Sequence, residues 1–159
     1  WLINMAAMLN AHPGVAERLV VEITESAAIH DVVETRRLVE TLQSCGAKVA
    51  IDDFGAGFTS FRALKTLGVD LIKIDGAFVE HALTTPTDKA FVMALADLAK
   101  SLGAETVAEW VGDEATAVEL AHWGIDYLQG CHTGSAFINR PWETTATLDD
   151  ATQRRLSLR

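Results

Sequence analysis

The sequence predicts an α/β fold built on parallel strands, and three observations carry that prediction. Four times an amphipathic stretch passes through a glycine, Gly46, Gly68, Gly103 or Gly124, into a short apolar run. Such runs are short and apolar throughout, as strands covered on both faces require. Each then stops at polar residues: Asp52 and Asp53, Lys73 and Asp75, Glu109, and Gln129. In a parallel array the C-terminal ends of all strands open on one face, so these scattered residues are expected to converge.

Taken in order, Trp1 to about Asn10 is apolar with helical character. It starts with neither a cap nor an initiator Met, as a chain cut inside an element would. His12-Pro13-Gly14 breaks this helix, and Leu19 to Ile23 is a β-branched apolar run with Glu22 and Glu25 at its end. Asp31 is placed to cap the next helix, Leu38, Val39 and Leu42 share one of its faces, and Gly46 supplies a left-handed stop. Val49 to Ile51 follows as a strand. Phe91, Leu95, Leu98 and Leu102 recur at helical spacing before Gly103, and Thr106 to Ala108 is the strand after them. The last crossover, about Asp113 to Trp123, leads through Gly124 to a strand over Ile125 to Leu128. Five strands and four crossovers result, with right-handed connections expected. Periodicity alone fits an open sheet as well as part of an eight-stranded barrel. From Trp142 onward the pattern fades, so 142–159 reads as a tail that is at most a frayed helix.

Composition narrows the function. A chain of 159 residues, 49% hydrophobic and 22% charged, reads as one soluble globular domain. Its formal charge of −9 argues against binding a nucleic-acid polymer, because a phosphate backbone calls for a basic footprint. A phosphate ligand would need metal ions as mediators. Cys45 and Cys131, far apart, suggest reduced thiols rather than a disulfide scaffold. No apolar stretch reaches the ~20 residues of a membrane span, and the N-terminus lacks the basic segment of a signal peptide. The expected location is cytoplasmic.

Asp52-Asp53-Phe54-Gly55-Ala56-Gly57 is the sharpest local signal. Adjacent carboxylates before a glycine turn suit the bridging of two divalent cations, and equally a solvated Asp-Asp turn. Glu22 and Glu25 read either as a metal ligand with a loop brace or as a helix-start charge pattern. Lys73 interrupts an apolar strand and must be either paired, with nearby Asp75, or functional, orienting a nucleophilic water or neutralising phosphate charge next to metal carboxylates. The five histidines form no closely spaced pair, which speaks against zinc, and Trp110, Trp123 and Trp142 are expected to be packing residues.

Together, Val21-Glu22-Ile23-Thr24-Glu25-Ser26, Ile51-Asp52-Asp53-Phe54-Gly55-Ala56-Gly57-Phe58-Thr59-Ser60, Leu71-Ile72-Lys73-Ile74-Asp75, Val107-Ala108-Glu109 and Leu128-Gln129-Gly130 resemble the EAL domain, the cyclic di-GMP phosphodiesterase of bacterial signalling. The resemblance implies a TIM-like (β/α) barrel of which this chain holds about the last five of eight strands, over residues 1–141. It also implies two Mg²⁺ or Mn²⁺ ions and hydrolysis of cyclic di-GMP to pGpG. By the same resemblance Glu22, Asp52, Asp53 and Glu109 are metal ligands, and Lys73 positions water or phosphate. Glu109 acts as ligand or base, Gln129 supports the second metal's water shell, Glu25 braces the loop after Phe54, and Asp75 supports the site. Implied partners are cyclic di-GMP, a second copy of the domain, and an upstream sensory or cyclase domain.

The pattern departs from the family in several places. The Glu-Ala-Leu signature and the metal-binding Asn of the third strand are absent together with the first three strands. Where the family has Ala-Glu-Gly-Val-Glu, this chain has Ala108-Glu109-Trp110-Val111-Gly112, and residues 131–139 diverge before Arg140-Pro141. Ala56 stands where Thr is usual. A degenerate module that binds cyclic di-GMP or a protein without hydrolysis is therefore the rival expectation.

Overall fold

A computed structural model describes residues 1–57 and 61–135. Two helices, α1 (Leu2–Ala11) and α2 (Pro13–Ala16), precede strand β1 (Val20–Thr24). Next come α3 (Glu25–His30), α4 (Val32–Ser44), β2 (Lys48–Phe54), α5 (Phe61–Leu67) and β3 (Leu71–Ile74). The chain continues through α6 (Gly76–His81), α7 (Pro86–Leu102), β4 (Glu105–Ala108), α8 (Glu114–His122) and β5 (Tyr127–Leu128). All five strands are parallel and lie in sequence order, β1-β2-β3-β4-β5.

Local chemistry explains the boundaries. Asp31 accepts a hydrogen bond from Glu34 N at 2.9 Å and opens α4, and Asp113 does the same for α8 through Thr116 N at 2.9 Å. Gly103 closes α7 in the left-handed conformation with φ 76°, which a residue bearing Cβ adopts only under strain. The crossovers α4 and α7 lie against β2 and against β3 and β4. On that face Val49, Ile51, Ile72, Ile74 and Ala108 join the main core with Val39, Leu42, Val92 and Ala99. Alternation sends Ala50, Leu71 and Val107 to the other face, where they form a second small buried cluster.

Strand beginnings are fixed by a device that occurs twice. Asp70, just before β3, accepts hydrogen bonds from Val49 N at 2.8 Å and Gln43 Nε2 at 3.1 Å. Asp126, just before β5, accepts from Thr106 N at 2.8 Å and Thr106 Oγ1 at 2.9 Å. Each carboxylate thus ties the start of one strand to its neighbour. The second case also corrects the expected strand over Ile125 to Leu128. Asp126 N donates to Thr106 Oγ1 at 3.1 Å, so the ladder begins only at Tyr127.

The strand expected over Val49 to Ile51 is longer in the structure and carries both aspartates. Ile51 pairs with Ile72 and Phe54 with Ile74, so three steps on β2 face two on β3. That extra residue is a β-bulge at Asp52 and Asp53, with Asp53 at φ 54°. The proposed tail 142–159, Trp142, Arg140-Pro141 and residues 136–139 lie outside the described residues, as do 58–60. No helix among the described residues is long and apolar enough to cross a membrane.

Candidate active site

Lys73 occupies the middle of the finishing end of the sheet. It shares the inner face of β3 with Leu71, because residues two apart along a strand point the same way. Its ammonium lies 2.5 Å from Asp52 Oδ1, 2.9 Å from Glu109 Oε1 and 3.2 Å from Glu22 Oε1. Those carboxylates come from β1, from β2 and from the residue just after β4. Burial to 5% exposure would lower the lysine pKa, but the hydrogen bonds it donates to Asp52, Glu109 and Glu22 outweigh it and hold the group above its ordinary value. Pairing of Lys73 with Asp75 does not occur. Asp75 instead caps α6, accepting from Ala77 N at 2.8 Å.

The bulge in β2 gives the site its acidity. In a regular strand Asp52 and Asp53 would point to opposite faces. With the extra residue and the left-handed Asp53, carboxylate oxygens of Asp52, Asp53 and Glu109 lie within 4.8 Å of one another. Glu109 is 7% exposed. Its burial raises the carboxyl above the usual carboxylate range, Lys73 pulls it back, and the charges of Asp52 and Asp53 push it up again. Three carboxylates therefore surround one ammonium and a fourth, Asp53, joins two of them, which leaves negative charge for a further cation to neutralise. An all-oxygen donor set of this kind suits a hard divalent ion, and among the described residues no other group of three histidine, cysteine or carboxylate ligands forms.

Backbone contacts fix the loops around this cluster. Glu25, 4% exposed, accepts from Gly55 N at 2.9 Å and Gly57 N at 3.1 Å, joining the end of β1 to the turn after β2. Thr24, Glu25, Ser26, Asp53, Ala56 and Gly57 line an open depression of about 290 Å³ beside it. On the other side, Gln129 N donates to Ala108 O at 2.8 Å and Val111 N to Gln129 O at 3.0 Å. The Gln129 side chain joins none of the Lys73 ion pairs. His132 N donates to Val111 O at 2.9 Å and His132 Nε2 lies 3.3 Å from Glu114 Oε2, so the start of the divergent segment is tied to the loop after β4. Gly112 is exposed, and a side chain there would meet nothing within 4 Å.

Tryptophan placement divides. Trp123 packs at the core edge, with the Lys89 ammonium 4.8 Å from its ring centre, as expected of a packing residue. Trp110 does not follow that expectation. It is 63% exposed, has φ 57°, and directly follows Glu109. Hydropathy and spacing do not distinguish it from a buried tryptophan, and the one signal that sets it apart is its place where the family pattern has Gly, since exposure here depends on the backbone turn that follows β4.

The EAL domain model matches residues 2–136. The chain belongs to the EAL domain family. It is 34% identical over 128 residues to the cyclic di-GMP phosphodiesterase PdeF of Escherichia coli, covering 80% of this chain and 17% of that protein. It is 39% identical over 113 residues to the cyclic di-GMP phosphodiesterase PdeB of Shewanella oneidensis, covering 71% of this chain and 13% of that one. Among solved structures, the PaMucR phosphodiesterase in a c-di-GMP complex superposes with a TM-score of 0.69 at 32% identity, over 79% of this chain and 56% of that chain. Klebsiella pneumoniae BlrP1 in a manganese and cy-diGMP complex gives 0.67 at 31% identity, over 72% and 29%. The parallel sheet is thus the EAL, TIM-barrel-like architecture, and this chain spans about one-sixth of the curated PdeF relative and just over half of the PaMucR chain.

Proposed function

We propose that this chain is the C-terminal part, residues 1–141, of a cyclic di-GMP phosphodiesterase barrel, and that the cluster around Lys73 is its hydrolytic centre. The observation that carries the proposal is the meeting of Asp52, Asp53 and Glu109 within 4.8 Å, with Lys73 held between Asp52, Glu109 and Glu22. Glu22, Asp52, Asp53 and Glu109 would hold Mg²⁺ or Mn²⁺. Bound there, the two cations supply a lowered pKa for water and neutralise phosphate charge on an otherwise repelling acidic rim. Lys73 orients Asp52 and Glu109 by its hydrogen bonds and adds a fixed positive charge for the phosphodiester. Glu25 holds the turn after β2, Asp75 fixes the start of α6, and Gln129 borders the site from the end of β5. Location in the cytoplasm, pairing with a second EAL domain and an upstream sensory or cyclase domain belong to the same reading.

A second reading, binding without hydrolysis, is favoured by Gly112, which leaves the rim without the carboxylate that the family pattern carries there. Chromatographic assay of pGpG formation in Mn²⁺ separates the two. The hydrolytic reading expects slow turnover by the 159-residue chain and fast turnover once the preceding part of its reading frame is joined to it. Equal turnover by both would contradict the need for further strands, and cyclic di-GMP binding without pGpG from either would establish the second reading.

A further inference from the structure

We infer that Trp110 is a stacking platform for a guanine base of the bound cyclic dinucleotide, an inference that rests on the reading of the site given above. Trp110 directly follows Glu109, whose carboxylate lies 2.9 Å from the Lys73 ammonium, so the indole begins one residue from the proposed phosphate-handling groups. One side of the ring is already covered. A Cβ on Gly76 would come within 2.1 Å of the Trp110 Cγ and Cδ2 atoms, so the indole occupies the space that any larger residue at 76 would fill. The residue nevertheless remains 63% exposed. An aromatic ring backed by main chain and otherwise open is the form that base stacking uses, and every base offers a π-face to it.

Trp110 is also held where it stands. Its φ of 57° turns the side chain out of the strand direction, and the next residue, Val111, is fully buried and bonded through its N–H to Gln129 O at 3.0 Å. Gly130 packs so tightly on this segment that a Cβ there would meet Val111 N and O at 2.4 Å. The loop therefore presents the indole in one place rather than sampling many. A purely structural tryptophan would gain burial from such fixation, and this one does not.

The test is tryptophan fluorescence and calorimetric titration of the full 159-residue chain with cyclic di-GMP in Ca²⁺. Stacking on Trp110 predicts saturable quenching by the wild type. Trp110→Gly should weaken binding by about five- to a hundredfold while melting at or above the wild-type temperature, since glycine relieves the positive φ. Trp110→Phe should keep the affinity within about threefold and lose most of the quenching. Gly76→Val, which displaces the indole without removing it, should weaken binding in the same direction as Trp110→Gly. Wild-type affinity in Trp110→Gly would overturn the stacking role and leave the cyclic di-GMP reading intact. Failure of the wild-type chain to bind cyclic di-GMP would overturn that reading and this inference with it.

Discussion

At the end of the sheet where the strands begin, every carboxylate described above has a settled partner. Asp70 and Asp126 are bonded to main-chain N–H groups of neighbouring strands, and Glu105 meets Lys48 Nζ at 2.6 Å and Tyr127 Oη at 3.0 Å. Where the strands finish, three carboxylates crowd one ammonium with Asp53 beside two of them, and the two non-glycine residues of positive φ among the described residues are Asp53 itself and Trp110, the residue after Glu109. Left-handed backbone at such residues costs about 1–3 kcal/mol each. One end of the sheet is built for stability and the other keeps charge and strain in reserve, which is the division that βα arrays use to place chemistry.

The largest effect should come from Lys73, the cation that the carboxylates of the finishing end share. Replacing Lys73 by Met leaves Asp52 and Glu109 buried or half-buried against one another, and breaking a buried pair in this way costs about 3–5 kcal/mol. Urea denaturation of metal-free protein should register that loss, and Mn²⁺ should restore part of it. A loss below about 1 kcal/mol, the range of exposed ion pairs, would mean that the cluster is as solvated as a surface one.

Asp70→Ala tests the beginning end. It leaves the N–H of fully buried Val49 without its carboxylate, and an unpaired buried donor costs about 1–3 kcal/mol. Stability should fall while Mn²⁺ binding is unchanged. Altered metal affinity in this variant would erase the contrast between the two ends.

Smallest is a difference in titration, and its two halves have opposite signs. Glu105 lies below its ordinary value through its hydrogen bonds to Lys48 and Tyr127, so its contribution to stability is present above the unfolded carboxylate pKa and is lost as pH falls through the depressed folded one. Glu109 lies above its ordinary value through burial. Its contribution is therefore fully present below the unfolded pKa and is lost as pH rises through the raised folded one. Carboxyl NMR titration of metal-free protein should find Glu105 ionising at lower pH than Glu109. The reverse order would show that Lys73, rather than burial, dominates Glu109.

Much of the fold was legible because its signals are local. The glycine before each of β2 to β5, the Asp31 cap and the spacing of Leu95 and Leu98 each act within a few residues, and each has its counterpart in the structure. Five parallel strands likewise followed from short apolar runs between helices, whereas their sequence order, that of a barrel, was implied only by the family resemblance. The family, too, could be recognised from residues at the strand ends. What the sequence did not disclose depends on register. The bulge that turns Asp52 and Asp53 toward one site exists only relative to β3, and the shortness of β5 only relative to Thr106 on β4. Trp110 escaped for the same reason, because its exposure is set by Gly76 and Val111 rather than by its neighbours in the chain.

Calorimetric titration with Mn²⁺ of the wild type, Asp52→Asn and Asp70→Asn, each checked for a cooperative melt, tests the central claim most directly. Both substitutions remove one negative charge, and they do so at opposite ends of the same pair of strands, β2 and β3. A cation site at the finishing end predicts saturable binding by the wild type, affinity lowered about tenfold or more by Asp52→Asn, and wild-type affinity in Asp70→Asn. Unchanged affinity in Asp52→Asn, or equal losses in both variants, would contradict it.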